Sequence, residues 1–192
     1  MSKRNYQYSK GIIHGRFQIL HNDHMKYLLA GKEMCEHIII GITNPDPFLT
    51  RDHKSNPHRS TNLNNPLTYY ERMVMIRESL LERELKLSEF SIVPFPINIP
   101  ELIKYYVPLD SVFFLSIYDD WGRQKKEYLE SLGLTVHVLW EVALEKKGLS
   151  GSDIRSAMLK GEPWKNFLPL PVVKLIEKWD IIKRIKELSK LE

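Results

Sequence analysis

GRFQILHNDH, residues 15–24, stands between an apolar run ending at His14 and a series Met25, Leu28, Leu29 and Cys35 that keeps helical spacing. The stretch therefore reads as a turn from a buried strand into a first helix. His21 and His24 flank the start of that helix, where unpaired backbone N–H groups and the helix macrodipole already favour an anion. Three residues apart on a first turn, the two imidazoles are able to point at one place. Two histidines without a third convergent ligand make a poor zinc site, so an anion is the better partner than a metal.

Working outward, the segments Ile12–His14, Ile38–Ile42, Phe90–Phe95, Val112–Ile117 and Thr135–Trp140 are short, β-branched or aromatic runs suited to strands buried on both faces. Helical patterns lie between most of them. Met73, Ile76, Leu80 and, roughly, Leu87 keep helical spacing after Thr68, and T-Y-Y-E (Thr68–Glu71) has the form of a capping box behind Pro66. Alternating strand and helix predict an α/β fold: a doubly wound parallel five-stranded sheet with helices on both faces. In such a sheet ligands bind beyond the carboxyl ends of the strands, where the winding reverses, and the opening stretch belongs there.

Residues 45–66 are rich in proline and asparagine and read as a lid or loop insertion, because structureless loops of that length in a compact domain are usually functional or mobile. Arg51, His53, Lys54, His58 and Arg59 in it either close on phosphates or belong to a solvated loop. A C-terminal helical segment, 163–192, carries Val173, Ile176, Trp179, Ile182 and Ile185 at helical spacing and either closes the domain or pairs with a partner.

The 192 residues fit one domain, 1–192, against a usual ~100–200 residues per domain. With 43% apolar and 27% charged residues the chain has an ordinary globular balance. No run approaches the ~18 apolar residues of a membrane span, and the N-terminus lacks the apolar stretch of a signal peptide, so a cytoplasmic protein without membrane attachment is expected. The single Cys35 excludes an intrachain disulfide and reads as a buried residue on a helix. A net charge of +4, dispersed along the chain, does not imply nucleic-acid binding, but leaves room for a few cations converging on a phosphate-rich small ligand.

A second small-residue turn answers the first. LSGSDIRSAM (Leu149–Met158) opens a helix with Ser150, Gly151, Ser152 and, one turn on, Arg155: hydroxyls and N–H groups first, a guanidinium next, as phosphate binding requires. Alone this is equally a serine N-cap with a surface arginine. Paired with GRFQ…HNDH it is far more specific.

Together these residues resemble the nucleotidyltransferase superfamily with its H-x-G-H and I-S-x-T-x-x-R motifs, and within it the archaeal-type nicotinamide-mononucleotide adenylyltransferases. GRFQ (Gly15–Gln18), NPLTYYERMVMIRESL (Asn65–Leu80), LSGSDIR (Leu149–Arg155) and GEPWKNFLP (Gly161–Pro169) carry the resemblance, which spans residues 10 to about 185. It implies a Rossmann-like fold and transfer of AMP from ATP to nicotinamide mononucleotide or a similar phosphate-bearing acceptor, with release of pyrophosphate. His21, His24, Arg16 and Arg155 would then be catalytic, stabilising charge on the phosphates. Gly15, Phe17, Gln18, Ser150, Gly151, Ser152, Asp119 and Trp121 would bind the nucleotide, and Asn98 and Tyr105 the acceptor. Mg2+ would travel on the triphosphate, and a homo-oligomer is expected. KKGLSGSDI (Lys146–Ile154) also resembles the closing signature of cytidylyltransferases, so transfer from CTP to another phosphomonoester is the rival reading.

Two departures bear on activity. The family's glycine in H-x-G-H is here Asp23, which either complements the helix N-terminus, helps hold a metal ion, or marks a nucleotide-binding regulator that has lost turnover. Between Phe95 and Pro108 only Asn98 offers an amide and no tryptophan is present, which leaves the acceptor open. After the fourth strand, Asp119 and Asp120 read as helix-capping acids and Trp121 as packing, with the nucleotide's ribose and base as the functional alternative.

Overall fold

The computed structural model describes residues 5–47, 61–146 and 148–191. Most of the expected lid, including Arg51, His53, Lys54, His58 and Arg59, lies outside the described residues.

Five parallel strands, β1 (Tyr8–Gly15), β2 (Cys35–Ile42), β3 (Phe90–Pro94), β4 (Val112–Ile117) and β5 (Thr135–Glu141), form one sheet in the order β3-β2-β1-β4-β5. The crossovers are helices α1 (Asn22–Met34), α2 (Tyr69–Glu82) and α3 (Asp120–Ser131), and α4 (Gly151–Lys160), α5 (Leu170–Lys178) and α6 (Ile181–Leu188) follow. The doubly wound sheet is thus as expected, and the winding reverses between β1 and β4. β1 pairs with β2 as far as Gly15–Ile42, but with β4 only at Gly11–Val112 and Ile12–Phe113. The two central strands therefore part beyond Ile12. In that gap the Tyr27 hydroxyl of α1 donates to the Phe114 carbonyl of β4 at 2.6 Å.

Alternation along the buried strands sends side chains to two cores. Ile13, Ile38, Ile40 and Phe114 join Leu28, Met75, Ile154, Val172 and Ile185 on one face; Ile12, Ile39, Phe95, Phe113 and Leu115 join Ile103 and Leu129 on the other. Burial of such side chains supplies most of the driving force, at about 25 cal/mol per Å² of apolar surface.

The capping box at the start of α2 is present: the Thr68 N–H donates to Glu71 Oε2 at 2.8 Å and the Glu71 N–H to Thr68 Oγ1 at 3.2 Å. Glu71 also pairs with Arg184 of α6 at 2.8 Å, tying the C-terminal helices to the body. Two local expectations are corrected, for Cys35 and for Leu87, and the C-terminal segment is helical as expected. Cys35 is buried, but it begins β2 because α1 ends one residue earlier. Leu87 lies beyond α2 on a 3-10 turn and is 65% exposed. The C-terminal pattern is two helices, broken at Asp180, which takes a left-handed conformation with φ 51°. The apolar spacing survives the break because α5 and α6 both bury their stripe, Val172, Val173 and Ile176 on one and Ile181 and Ile185 on the other.

Candidate active site at the parting of the central strands

A cavity of about 270 Å³ opens at the carboxyl ends of β1 and β4. Its wall is made by the turn after β1, the first turns of α1, α3 and α4, and the segment just before α4.

His21 is the N-cap of α1, and its Nδ1 accepts the His24 N–H at 3.4 Å. That contact uses a ring lone pair, so the neutral ring carries its proton on Nε2 and presents a donor there. The His24 ring stacks on it, centroids 3.7 Å apart, and meets the Phe17 ring edge-on at 5.0 Å. The two imidazoles thus do converge, and both line the cavity together with Gly15, Arg16, Phe17 and Gln18.

The second turn is fastened to the first. Ser150 caps α4, its hydroxyl accepting the Asp153 N–H at 3.3 Å and donating to Asp153 Oδ2 at 2.7 Å. Gly151 lies so close to the Gln18 carbonyl that a Cβ would stand 2.4 Å from its oxygen, which explains the glycine without any ligand. Ser150, Gly151 and Ser152 line the cavity. Gln18 is held from the other side by a reciprocal pair of 2.9 Å bonds with the Leu67 backbone.

Arg155 is 4% exposed and is not among the residues lining the cavity. Its guanidinium donates to the Gln18 carbonyl, to Asn64 Oδ1 at 2.6 Å and to Ser152 Oγ at 3.1 Å, so it joins the two motifs from behind. Burial draws its pKa down to about 10, which leaves it charged at neutral pH. Arg72, near the start of α2, is a hub of the same kind. It is 1% exposed and donates to the carbonyls of Thr68, Arg16, Thr43 and Asn44 at 2.7–3.2 Å.

Asp23 lines the cavity and pairs with Lys26 at 2.9 Å. Its carboxylate also lies against Gly148, where a Cβ would come within 2.0 Å of Oδ2. Among the described residues no three His, Cys, Asp or Glu side chains gather as a metal-binding group.

On the far wall Asp119 caps α3, accepting the Gly122 N–H at 2.9 Å, as its capping reading required. Trp121 is not packed away: it is 41% exposed at the cavity rim, with the Lys125 ammonium 4.9 Å from its ring centroid. Asn98 and Tyr105 are not among the lining residues, and Tyr105 is 72% exposed on a 3-10 turn. Sequence reasoning passed over His14, Tyr27, Ser116, Tyr118 and Lys125, all of which line the cavity. A polar residue ending a buried strand was the signal available for His14, and the i, i+3 step from His24 the one for Tyr27.

The cavity therefore gathers the first turns of three helices, three imidazoles and the Arg16 side chain, a lining suited to a polyanion. Comparison with known proteins agrees with that chemistry. The chain is 40% identical over 176 residues to the phosphonoformate cytidylyltransferase of Streptomyces viridochromogenes, covering 92% of this chain and 95% of that one. It is 30% identical over 187 residues to the nicotinamide-nucleotide adenylyltransferase of Thermococcus kodakarensis, covering 94% and 88%. Among solved structures, a bifunctional NMN adenylyltransferase/ADP ribose pyrophosphatase from Francisella tularensis shares the fold with a TM-score of 0.66 at 14% identity. The chain spans about half of that protein, 53%, and 94% of its own length is matched. A family described as cytidylyltransferase-like matches residues 12–157, and with three quarters of its length inside that match the chain belongs to this family of nucleotidyltransferases.

Proposed function

We propose that the protein transfers CMP from CTP to a small phosphonate- or phosphate-bearing acceptor and releases pyrophosphate. The observation that carries the reaction class is the convergence of the α1 and α4 N-termini and the stacked His21–His24 pair on one cavity. The 40% identity to a phosphonoformate cytidylyltransferase favours CTP and a compact acceptor.

An acceptor oxygen, already ionised, attacks the α-phosphorus; the new P–O bond forms as the bond to the β-phosphate oxygen breaks, and pyrophosphate leaves with that electron pair. No side chain becomes covalently attached, so the protein contributes alignment and electrostatic stabilisation. His21 Nε2–H, His24 and Arg16 meet the charge that grows on the phosphates, while the N–H groups opening α4 hold the far end of the triphosphate. Arg155 and Arg72 act as positioning residues by fixing the loop that carries Arg16 and Gln18. A magnesium ion fits as a passenger of the triphosphate, which it would help neutralise. The carboxylates lining the cavity are Asp23, paired with Lys26, and Asp119, which caps α3, so the phosphates would supply most of such an ion's ligands.

A second reading, AMP transfer from ATP to nicotinamide mononucleotide, is favoured by the 30% identity to an archaeal enzyme of that name. Pyrophosphate release measured with each of the four nucleoside triphosphates, paired with phosphonoformate, nicotinamide mononucleotide and simple phosphomonoesters, tests both. Turnover with CTP and a small acceptor is expected. Turnover confined to ATP and nicotinamide mononucleotide would replace the first reading with the second. Nucleotide binding without pyrophosphate from any pair would leave a regulator.

A further inference from the structure

His14 lies one residue from the end of β1 and lines the cavity, yet the reaction above gives it no task. The side chain is 7% exposed, and among the described residues neither ring nitrogen has a hydrogen-bond partner. Its ring stacks on Phe95, centroids 4.9 Å apart and planes 13° from parallel. Burial, and then the charge of Lys125, hold its pKa well below the ordinary value, so the ring is neutral and carries one N–H and one lone pair. A residue serving only to pack on Phe95 would do better without two polar atoms, since buried donors left unpaired cost stability. Such an orphan in a cavity wall asks for a ligand.

Its position says which part of the ligand. His14 follows Ile12 onto the sheet face that holds Phe95, whereas His24 packs on Phe17, which belongs to the opposite core. His14 and the His21–His24 pair thus rest on opposite cores, and so are placed to meet different ends of a ligand. The phosphate-handling end is that of His21 and His24. The other end pairs a neutral N–H donor with the Lys125 ammonium of α3, also a lining residue, and that combination suits an acidic group rather than a flat apolar ring.

We propose that His14 is a specificity-determining contact for the acceptor: its ring N–H takes an oxygen of a carboxylate carried beside the reacting phosphonate or phosphate, with Lys125 supplying the balancing charge. The inference rests on the group-transfer reading above.

The test compares the wild type with His14→Leu and His14→Asn, using phosphonoformate, phosphonoacetate and methylphosphonate as acceptors and pyrophosphate release as the readout. The wild type should prefer the two carboxylated acceptors. His14→Leu should raise their KM at least about tenfold, because a buried partner is lost, while the nucleotide KM moves less than about threefold, a shift below 1 kcal/mol. Its use of methylphosphonate should not change, and its melting temperature should hold or rise as an orphaned polar group is removed. His14→Asn should recover part of the loss. Equal loss on all three acceptors, or a melting temperature that falls with activity, would overturn the proposal. If the wild type releases no pyrophosphate with any acceptor, the functional reading fails, and calorimetric binding decides His14 separately. Phosphonoformate bound by the wild type and not by His14→Leu would then support the contact, and equal affinity or no binding by either would refute it.

Discussion

Gly151 and Gln18, 133 positions apart, touch at the centre of the site: the first residue of α4 lies against the Gln18 carbonyl, the same oxygen to which Arg155 donates. The contact couples the turn after β1 and the turn that opens α4 into one body. It also separates two roles that a motif alone leaves fused, lining the cavity and holding the turn that lines it.

Arg155 therefore matters first to the loop. Arg155→Ala removes the guanidinium from the buried Gln18 carbonyl and from Asn64 Oδ1, and an unpaired buried carbonyl costs about 1–3 kcal/mol. The melting temperature should fall by roughly 2–4 °C per kcal/mol, and nucleotide affinity should weaken along with it. Arg155→Lys should restore only part of either, since lysine keeps the charge and loses the fork. Unchanged melting by calorimetry for the alanine variant would remove the clamp.

His24 behaves differently. It is half-buried at the cavity wall, where its ring stacks on His21 and meets the edge of the Phe17 ring. His24→Ala should lower kcat by a factor of roughly a hundred or more, as loss of one preorganised donor does, with little change in melting temperature. A large drop in melting temperature with a proportionate activity loss would make it a structural residue.

Asp23 is engaged by Lys26 and pressed against Gly148, with its side chain 37% exposed. An exposed pair of this kind contributes about 0.2–1 kcal/mol. Asp23→Gly should accordingly shift nucleotide affinity less than about threefold and lower stability slightly, since Gly is poor in a helix. A tenfold or greater gain in affinity or turnover would mean that the carboxylate restrains the phosphates.

Glu71 links pH to the attachment of the C-terminal helices. Burial pushes its pKa up, but hydrogen bonds from Arg184 and Thr68 outweigh this and hold it below the ordinary 4.5. A carboxylate with a depressed folded pKa stabilises above its unfolded value and loses that stabilisation as pH falls through the folded one. The melting-temperature gap between wild type and Glu71→Gln should thus be full at neutral pH and shrink below about pH 4.5. A gap that stays constant down to pH 3 would show that the charge is not what holds Arg184.

Much of this was legible in the residues themselves. Strand runs, the Thr68–Glu71 box and the two small-residue turns are local patterns, and local patterns carry their own physics. Arg72 was not, because its partners are carbonyls of loops after β1 and β2 that meet only in the folded sheet. Trp121 misled for a related reason: an aromatic one residue into a helix looks like packing until the neighbouring strands are seen to leave it at a rim. The break at Asp180 carries no glycine or proline to announce it, only a left-handed aspartate.

The early parting of β1 from β4 gives the crevice a particular durability. It is a seam in the hydrogen-bonded ladder, not a hole left by small side chains, and Tyr27 props it by satisfying the Phe114 carbonyl. Its walls are backbone held in register on either side, so its width is set by strand pairing. An opening built into the sheet is a preorganised one, which lowers what any ligand must spend on reshaping the protein as it binds.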